Sequence, residues 1–295
     1  MIYQHPLAYL VAMEGLALLR AWAGDHDRAF VEARLEEVRR LLANPELAGH
    51  PGVLVEPGAT VEAYQQWATS YDDPGNGLFD LDAPVLEALW AGLPVGTALD
   101  AACGTGRLIP PLLARGHRVL GVDRSPAMLE RARRRAPEAE LLLGDLHRLP
   151  LAAAAVDLAV TGLALTHVDD LDPVLVEFAR VLRPGGHLLI SDVHPELVRR
   201  GSVVKAEGPD GQPQMAVNRR HGVGSFLRAG LAAGFTLRGF DEQPHAAEPT
   251  DPLPEPAREI GPWRDWPWTL LGWVPEAARS AWDQPSVVLF HFQRD

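Results

Sequence analysis

The sequence predicts an α/β fold, a doubly wound and mostly parallel sheet, on three observations. Short apolar runs alternate with helical segments between residues 97 and 193. These runs lack polar alternation, as strands covered on both faces do. The first run also breaks through glycines directly into a helical segment, which brings backbone N–H groups within reach of a ligand.

Residues 1–60 read as a helical extension. Leu7, Leu10, Met13 and Ala17 keep a spacing of three and four, as do Val31, Leu35, Val38 and Leu42. Leu16, Leu18 and Leu19 make the first helix apolar on most sides, which predicts deep burial. Gly24-Asp25 separates the two helices, and Asn44-Pro45 ends the second. The expected role is packing or a homodimer contact, with a cap over a pocket as the alternative.

Residues 61–295 read as the main domain. A short helix is expected over 62–70, carrying Tyr64 and Trp67; Tyr71 and a loop at 72–77 follow, then a helix over 83–91. The predicted strands are 97–101, 119–123, 140–144, 156–161 and 187–193, with helices near 107–115, 126–135 and 171–182 between them. Beyond Pro195 the alternation loosens to a helix over 225–233 and strands over 236–240 and 287–292. A proline-rich stretch at about 243–284 holds five of the eight tryptophans and reads as an insertion on the ligand side. No internal repeats or low-complexity tracts interrupt the chain.

Composition narrows the function. Acids outnumber bases 39 to 27 over 295 residues, a net charge of −12. Nucleic-acid binding draws its affinity from phosphate neutralisation, so a polyanionic partner is disfavoured. The single cysteine, Cys103, allows no internal disulfide and no cysteine-based zinc site. The apolar stretch at 7–22 is interrupted by Glu14 and Arg20, whereas a membrane span needs about 20 nearly uncharged residues. Residues 1–6 lack a basic n-region. Together these predict a cytoplasmic protein without a membrane partner.

The first predicted strand runs into Asp100-Ala101-Ala102-Cys103-Gly104-Thr105-Gly106-Arg107. The second ends in Asp123, nineteen residues after Gly104, where an acid can accept hydrogen bonds from two ribose hydroxyls. This order suits a nucleoside-containing cofactor. A dinucleotide fingerprint needs a third glycine where Ile109 stands, and no Gly-Lys-Ser/Thr is present, so neither a dinucleotide site nor a P-loop fits. Asp100, four residues before Gly104, would repel a pyrophosphate but suits an ammonium group.

The pattern resembles class I S-adenosylmethionine-dependent methyltransferases. Asp100 to Gly106 is similar to that family's first motif, with Ala102 replacing the commonest first glycine; alanine disfavours a backbone of positive φ. Asp123-Arg124 matches the ribose acid, Gly144-Asp145-Leu146 the adenine segment, and Leu182-Arg183-Pro184-Gly185-Gly186 the turn before the fifth strand. The four stretches lie in order within 96–193. The resemblance implies a Rossmann-like seven-stranded sheet with one antiparallel strand at 287–292. It also implies S-adenosylmethionine as cofactor, with S-adenosylhomocysteine as product. The cofactor residues it implies are Asp100, Ala102, Gly104, Gly106, Asp123, Arg124, Asp145, Leu146 and Thr161, with Tyr64 and Tyr71 covering the ligand.

The implied reaction moves a methyl group from a sulfonium to an O, N or C nucleophile. Alignment and exclusion of water do much of the work. A base is needed only where the acceptor must lose a proton, and histidine suits that role. Three histidines lie at or near the carboxyl edge of the sheet: His194 after the fifth strand, His167 after the fourth, and His221 before a later helix. Each could be the general base, or else cap a helix or support the site from behind; as a base His194 ranks first, because the loop after the fifth strand commonly forms the substrate wall in this family. The three lack the spacing of a metal site, so no metal is expected.

Trp263, Trp266, Trp268 and Trp273 are expected to line an acceptor pocket by area burial and stacking, or else to form the core of their own region. Residues 161–164 show no Asn/Asp-Pro-Pro-Tyr/Phe motif of nucleic-acid amino methylation, and no paired-glutamate hairpin for arginine is visible. The expected acceptor is therefore a small, partly apolar or aromatic metabolite. The alternative is a protein that binds the same cofactor for non-methylating chemistry, or for a regulatory or scaffolding role.

Overall fold

The computed structural model describes residues 1–58, 64, 71, 77–208, 210–216, 218–244, 258–281 and 284–295. The helix expected over 62–70, apart from Tyr64, lies outside the described residues; so do 72–76 and Trp282. In chain order the elements begin with β1 (Ile2–Gln4), α1 (Pro6–Ala23), α2 (Arg28–Ala43), α3 (Pro45–Ala48) and β2 (Val53–Gly58). There follow α4 (Gly77–Ala91), β3 (Thr97–Ala101), α5 (Ile109–Ala114), β4 (Arg118–Asp123), α6 (Pro126–Arg135) and β5 (Glu140–Leu143). Next come β6 (Val156–Gly162), a 3-10 turn (Leu165–His167), α7 (Leu171–Val181), β7 (Leu182–Val193) and α8 (Pro195–Arg199). The chain continues through β8 (Lys205–Glu207), β9 (Pro213–Ala216), α9 (Val223–Ala232) and β10 (Phe235–Pro244). It closes with 3-10 turns at Trp263–Asp265 and Trp268–Trp273, α10 (Pro275–Ser280) and β11 (Pro285–Arg294).

Contacts divide the chain into two units: Met1–Gly58, Gly201–Ala216 and Ala247–Gln284 form one, and Ala59–Arg200, Val217–Ala246 and Pro285–Asp295 the other. The larger unit carries a seven-stranded sheet in the order β10-β11-β7-β6-β3-β4-β5. Strands β7, β6, β3, β4 and β5 are parallel, and β11 runs antiparallel to both β7 and β10. This is the Rossmann-like arrangement expected, including the antiparallel strand. Both faces are covered. Leu99, Ala159 and Leu188 pack with Phe178 of α7 on one side; Ala98, Val160 and Leu189 pack with Leu86 and Trp90 of α4 on the other. Each large side chain fully buried in this way is worth about 1.5–3 kcal/mol. Caps set the helix starts: Ser125 Oγ accepts from Met128 N before α6, and Asp170 Oδ1 from Asp172 N before α7.

The chain runs from β3 outward to β5 and then returns to β6 on the other side of β3. Strand order reverses there, and ligands of open α/β sheets bind outside the carboxyl ends of the strands at such a point.

The smaller unit corrects two expectations. Residues 1–58 are not purely helical: β1 and β2 join β9 and β8 in a four-stranded sheet, so 201–216 belongs with the N-terminal segment. The described part of 247–284 also packs here rather than forming an insertion of the larger unit. Trp266, Leu270 and Trp273 share a core with Leu10, Met13 and Ala17 of α1. Lys205, the only lysine, fastens this packing through its ammonium, which donates to the carbonyls of Trp263 and Trp266 and lies 4.9 Å from the Trp263 ring centre. Helix α1 is buried along one stripe and not all round: Leu19 is 69% and Trp22 92% exposed. Its end at Gly24, with φ +110, follows the sequence expectation.

Candidate functional site

The loop after β3 is built for close backbone approach. Gly104 has φ +54, and a Cβ added there would meet nothing within 4 Å, so its surface faces open space. Gly106, at φ +78, serves packing instead: a Cβ there would press Ala132 of α6 at 3.1 Å. Ala102 takes φ +57, the left-handed region that costs an L-residue about 1–2 kcal/mol. Alanine is disfavoured in this conformation, and the loop imposes it nonetheless.

Asp123, at the end of β4, fastens the loop. Its Oδ2 accepts the Gly104 N–H at 2.8 Å and its Oδ1 the Ser125 N–H at 2.8 Å. Burial pushes the carboxyl up from its ordinary value, and these two N–H bonds pull it back. Each oxygen retains lone-pair capacity for a ribose hydroxyl.

A cavity of about 250 Å³ opens at this edge of the sheet. Of the residues expected to bind cofactor, Tyr64, Tyr71, Ala102, Gly104, Asp123, Arg124, Asp145 and Leu146 line it. Asp100, Gly106 and Thr161 do not, and Asp100 and Thr161 are buried in the sheet below. Lining residues missed from the sequence include Met128, His147, Gly162, Leu163 and Asp169. Met128 sits in the first turn of α6, directly behind the Ser125-Pro126 helix-start signal, which marks it in retrospect.

Asp100 lies in a charged cluster. Arg107 binds Asp82 of α4 through two hydrogen bonds, at 2.9 and 2.5 Å, and Ser191 Oγ donates to Asp82 Oδ2 at 2.7 Å. With that guanidinium committed to Asp82, Asp100 Oδ2 stays buried without a hydrogen-bond partner. Burial pushes its carboxyl up to about 7; Arg107 opposes this, while Asp123 and Asp82 add to it. An orphaned carboxyl oxygen beneath a glycine loop fits a cationic ligand group or its bridging water.

The three histidines separate clearly. His167, in the 3-10 turn after β6, lines the cavity, and its Nε2 lies 2.7 Å from Tyr64 Oη. The two rings meet edge-on at 5.2 Å. His194 does not line the cavity, contrary to its first rank. Its Nδ1 caps α8 by accepting the Glu196 N–H at 3.2 Å, and its Nε2 meets Glu242 Oε1 at 3.0 Å. Burial holds its pKa below the ordinary value despite Glu242. His221 is also absent from the lining and is spent on the Val168 carbonyl, at 2.7 Å.

The tryptophans stand elsewhere. Trp266 and Trp273 are each 6% exposed, in the core of the smaller unit, and Trp263 donates to Gln4 Oε1 at 2.7 Å. Trp268 is exposed, and none of the four lines this cavity. Among the described residues no group of three or more His, Cys, Asp or Glu is placed to hold a metal ion.

A glycine loop between a parallel strand and a helix, a carboxylate at the end of the next strand, and a cavity between them define a nucleoside-binding site of the Rossmann-like class. The chain matches the methyltransferase-domain family over residues 99–190. It is 32% identical over 186 residues to a malonyl-[acyl-carrier protein] O-methyltransferase of Salmonella typhimurium, covering 63% of this chain and 70% of that one. Its counterpart in Serratia marcescens is 36% identical over 137 residues, 46% of this chain and 53% of that one. A solved S-adenosylmethionine-dependent methyltransferase from Mesorhizobium loti superposes with a TM-score of 0.51 at 26% identity, covering 72% of this chain and 96% of that one. The chain belongs to the class I S-adenosylmethionine-dependent methyltransferases. It spans about half the length of several curated relatives that it matches.

Proposed function

We propose that this protein transfers a methyl group from S-adenosylmethionine to an O, N or C atom of a small, partly apolar or aromatic metabolite. The observation that carries the reading is the loop fastened by Asp123 under a cavity walled by Tyr64 and His167. Asp123 would hold the ribose, Asp145 and Leu146 the base, and the Gly104 backbone with Asp100 beneath it the amino-acid end. When bound, the cofactor supplies an activated methyl group on a sulfonium. The chain's residues then have to align the acceptor and exclude water, which Tyr64, Tyr71 and Leu163 do as cavity walls. His167 is the group placed to take a proton from an acidic acceptor, with Tyr64 Oη holding its Nε2.

A carboxylate acceptor, as the names of several relatives suggest, is the second reading. Against it, the described lining residues outside the cofactor assignments add the carboxylate of Asp169 and no further cation beside Arg124, which disfavours an anionic acceptor.

Calorimetry with S-adenosylmethionine and S-adenosylhomocysteine on the wild type and Asp123→Ala tests the cofactor site. Saturable binding that weakens at least about tenfold in the variant is expected, since hydrogen bonds to a charged group are worth about 1.5–3 kcal/mol. Unchanged affinity in Asp123→Ala would remove the ribose assignment. A screen of phenols, amines, carbon acids and carboxylates then decides the acceptor class.

A further inference from the structure

After β5 the chain turns through Gly144-Asp145-Leu146-His147, and Asp145, Leu146 and His147 all line the cavity. His147 brings two donors to one oxygen: its backbone N–H reaches Asp145 Oδ1 at 2.9 Å, and its ring Nδ1 lies 2.6 Å from the same atom. An ionised carboxylate only accepts, so this contact places a hydrogen on Nδ1. Asp145 Oδ2 is left apart, with the Arg124 guanidinium 4.0 Å away. Partial burial pushes the Asp145 carboxyl up, yet the contacts from His147 outweigh it and hold the group below the usual carboxylate range. The carboxylate is thus ionised and tethered at Oδ1, although its side chain is 47% exposed.

We propose that His147 is a cofactor-positioning residue: by donating Nδ1–H to Asp145 Oδ1, it holds Oδ2 ready to accept the exocyclic amine of an adenine base. It thereby sets a preference for 6-aminopurine over 6-oxopurine cofactors. The proposal rests on the cofactor reading given above. A 6-oxopurine presents an acceptor oxygen where adenine presents its exocyclic donor, so a carboxylate held at that position repels it.

The test is calorimetry of S-adenosylhomocysteine and S-inosylhomocysteine on the wild type, His147→Leu and His147→Asn. Because His147 is half exposed, these variants are expected to fold. His147→Leu is expected to weaken S-adenosylhomocysteine by about five- to tenfold, the scale of one partly solvated charge-assisted bond. S-inosylhomocysteine affinity stays within about twofold. His147→Asn, whose amide nitrogen can replace Nδ1 as donor, recovers most of the loss. An equal loss for both ligands would reduce His147 to a residue that folds the turn and overturn the proposal. So would no loss in His147→Leu. Failure of the wild type to bind S-adenosylhomocysteine overturns the proposed function and this role with it, whereas binding that ignores His147 overturns the role alone.

Discussion

Tyr64 and His167 are 103 residues apart in sequence, and their side chains meet at 2.7 Å, phenol oxygen to imidazole Nε2, on the cavity wall. The turn that carries His167 is held from two sides. Asp192 accepts the Thr166 N–H, and Thr166 exchanges hydrogen bonds with the backbone of Arg219, at 2.6 and 3.0 Å. A side chain so placed can meet an acceptor without reorganising its backbone.

His167→Ala is expected to lower turnover about 100-fold on an acceptor that must lose a proton, with S-adenosylhomocysteine affinity nearly unchanged. His194→Ala serves as the contrast: it should cost about 1 kcal/mol of stability through the lost cap of α8 and leave turnover within about twofold. Steady-state kinetics beside denaturant unfolding separates the two. Wild-type turnover in His167→Ala would end its candidacy as a base.

Ala102 offers a stability test. Its φ of +57 is strained for alanine and free for glycine. Ala102→Gly is expected to stabilise by about 0.5–1 kcal/mol, because relief of left-handed strain exceeds the entropy glycine adds to the unfolded chain. Urea unfolding measures it. A loss of stability would mean that the alanine methyl contributes more by contact than the strain costs.

Acid sensitivity follows from His187 and His291, whose rings meet Nδ1 to Nε2 at 2.9 Å across β7 and β11. Burial, with the charges of His187 and Arg238 adding, pushes His291 down to about 4. An unfolded histidine titrates near 6.5, so between those values the unfolded chain takes up a proton that the folded one refuses. This contribution is full above pH 6.5 and is lost as the pH falls toward 4. Asp100 and Asp192, raised to about 7 by burial, act in the opposite direction. The readable quantity is therefore a difference: from pH 7 to 5, His291→Gln should lose about 1 kcal/mol less stability than the wild type, after screening. Parallel pH profiles for the two proteins would contradict it.

The larger unit was legible because its signals are local. The 97–101 and 126–135 segments match β3 and α6 residue for residue, and Asp123 was identified by its place at a strand end. The smaller unit was not. Its strands β1, β8 and β9 are three to four residues long, too short for a period to register, and β2 pairs with β9 across more than 150 residues. The tryptophans supply apolar area, and which surface that area covers is a property of packing.

The family and the cofactor loop are written in covalent order, since a glycine turn, a strand-end acid and their spacing need no long-range contact to be legible. Which histidine faces the cavity follows from tertiary packing. That packing gives His194 to a helix cap, His221 to a carbonyl and His167 to Tyr64, because each imidazole is claimed by whichever donors or acceptors the folded backbone brings within about 3 Å. Tyr64 and the Val168 carbonyl lie 103 and 53 residues from the histidines they meet, and no local pattern encodes those pairings; the cap that His194 makes with Glu196, two residues on, is the local exception.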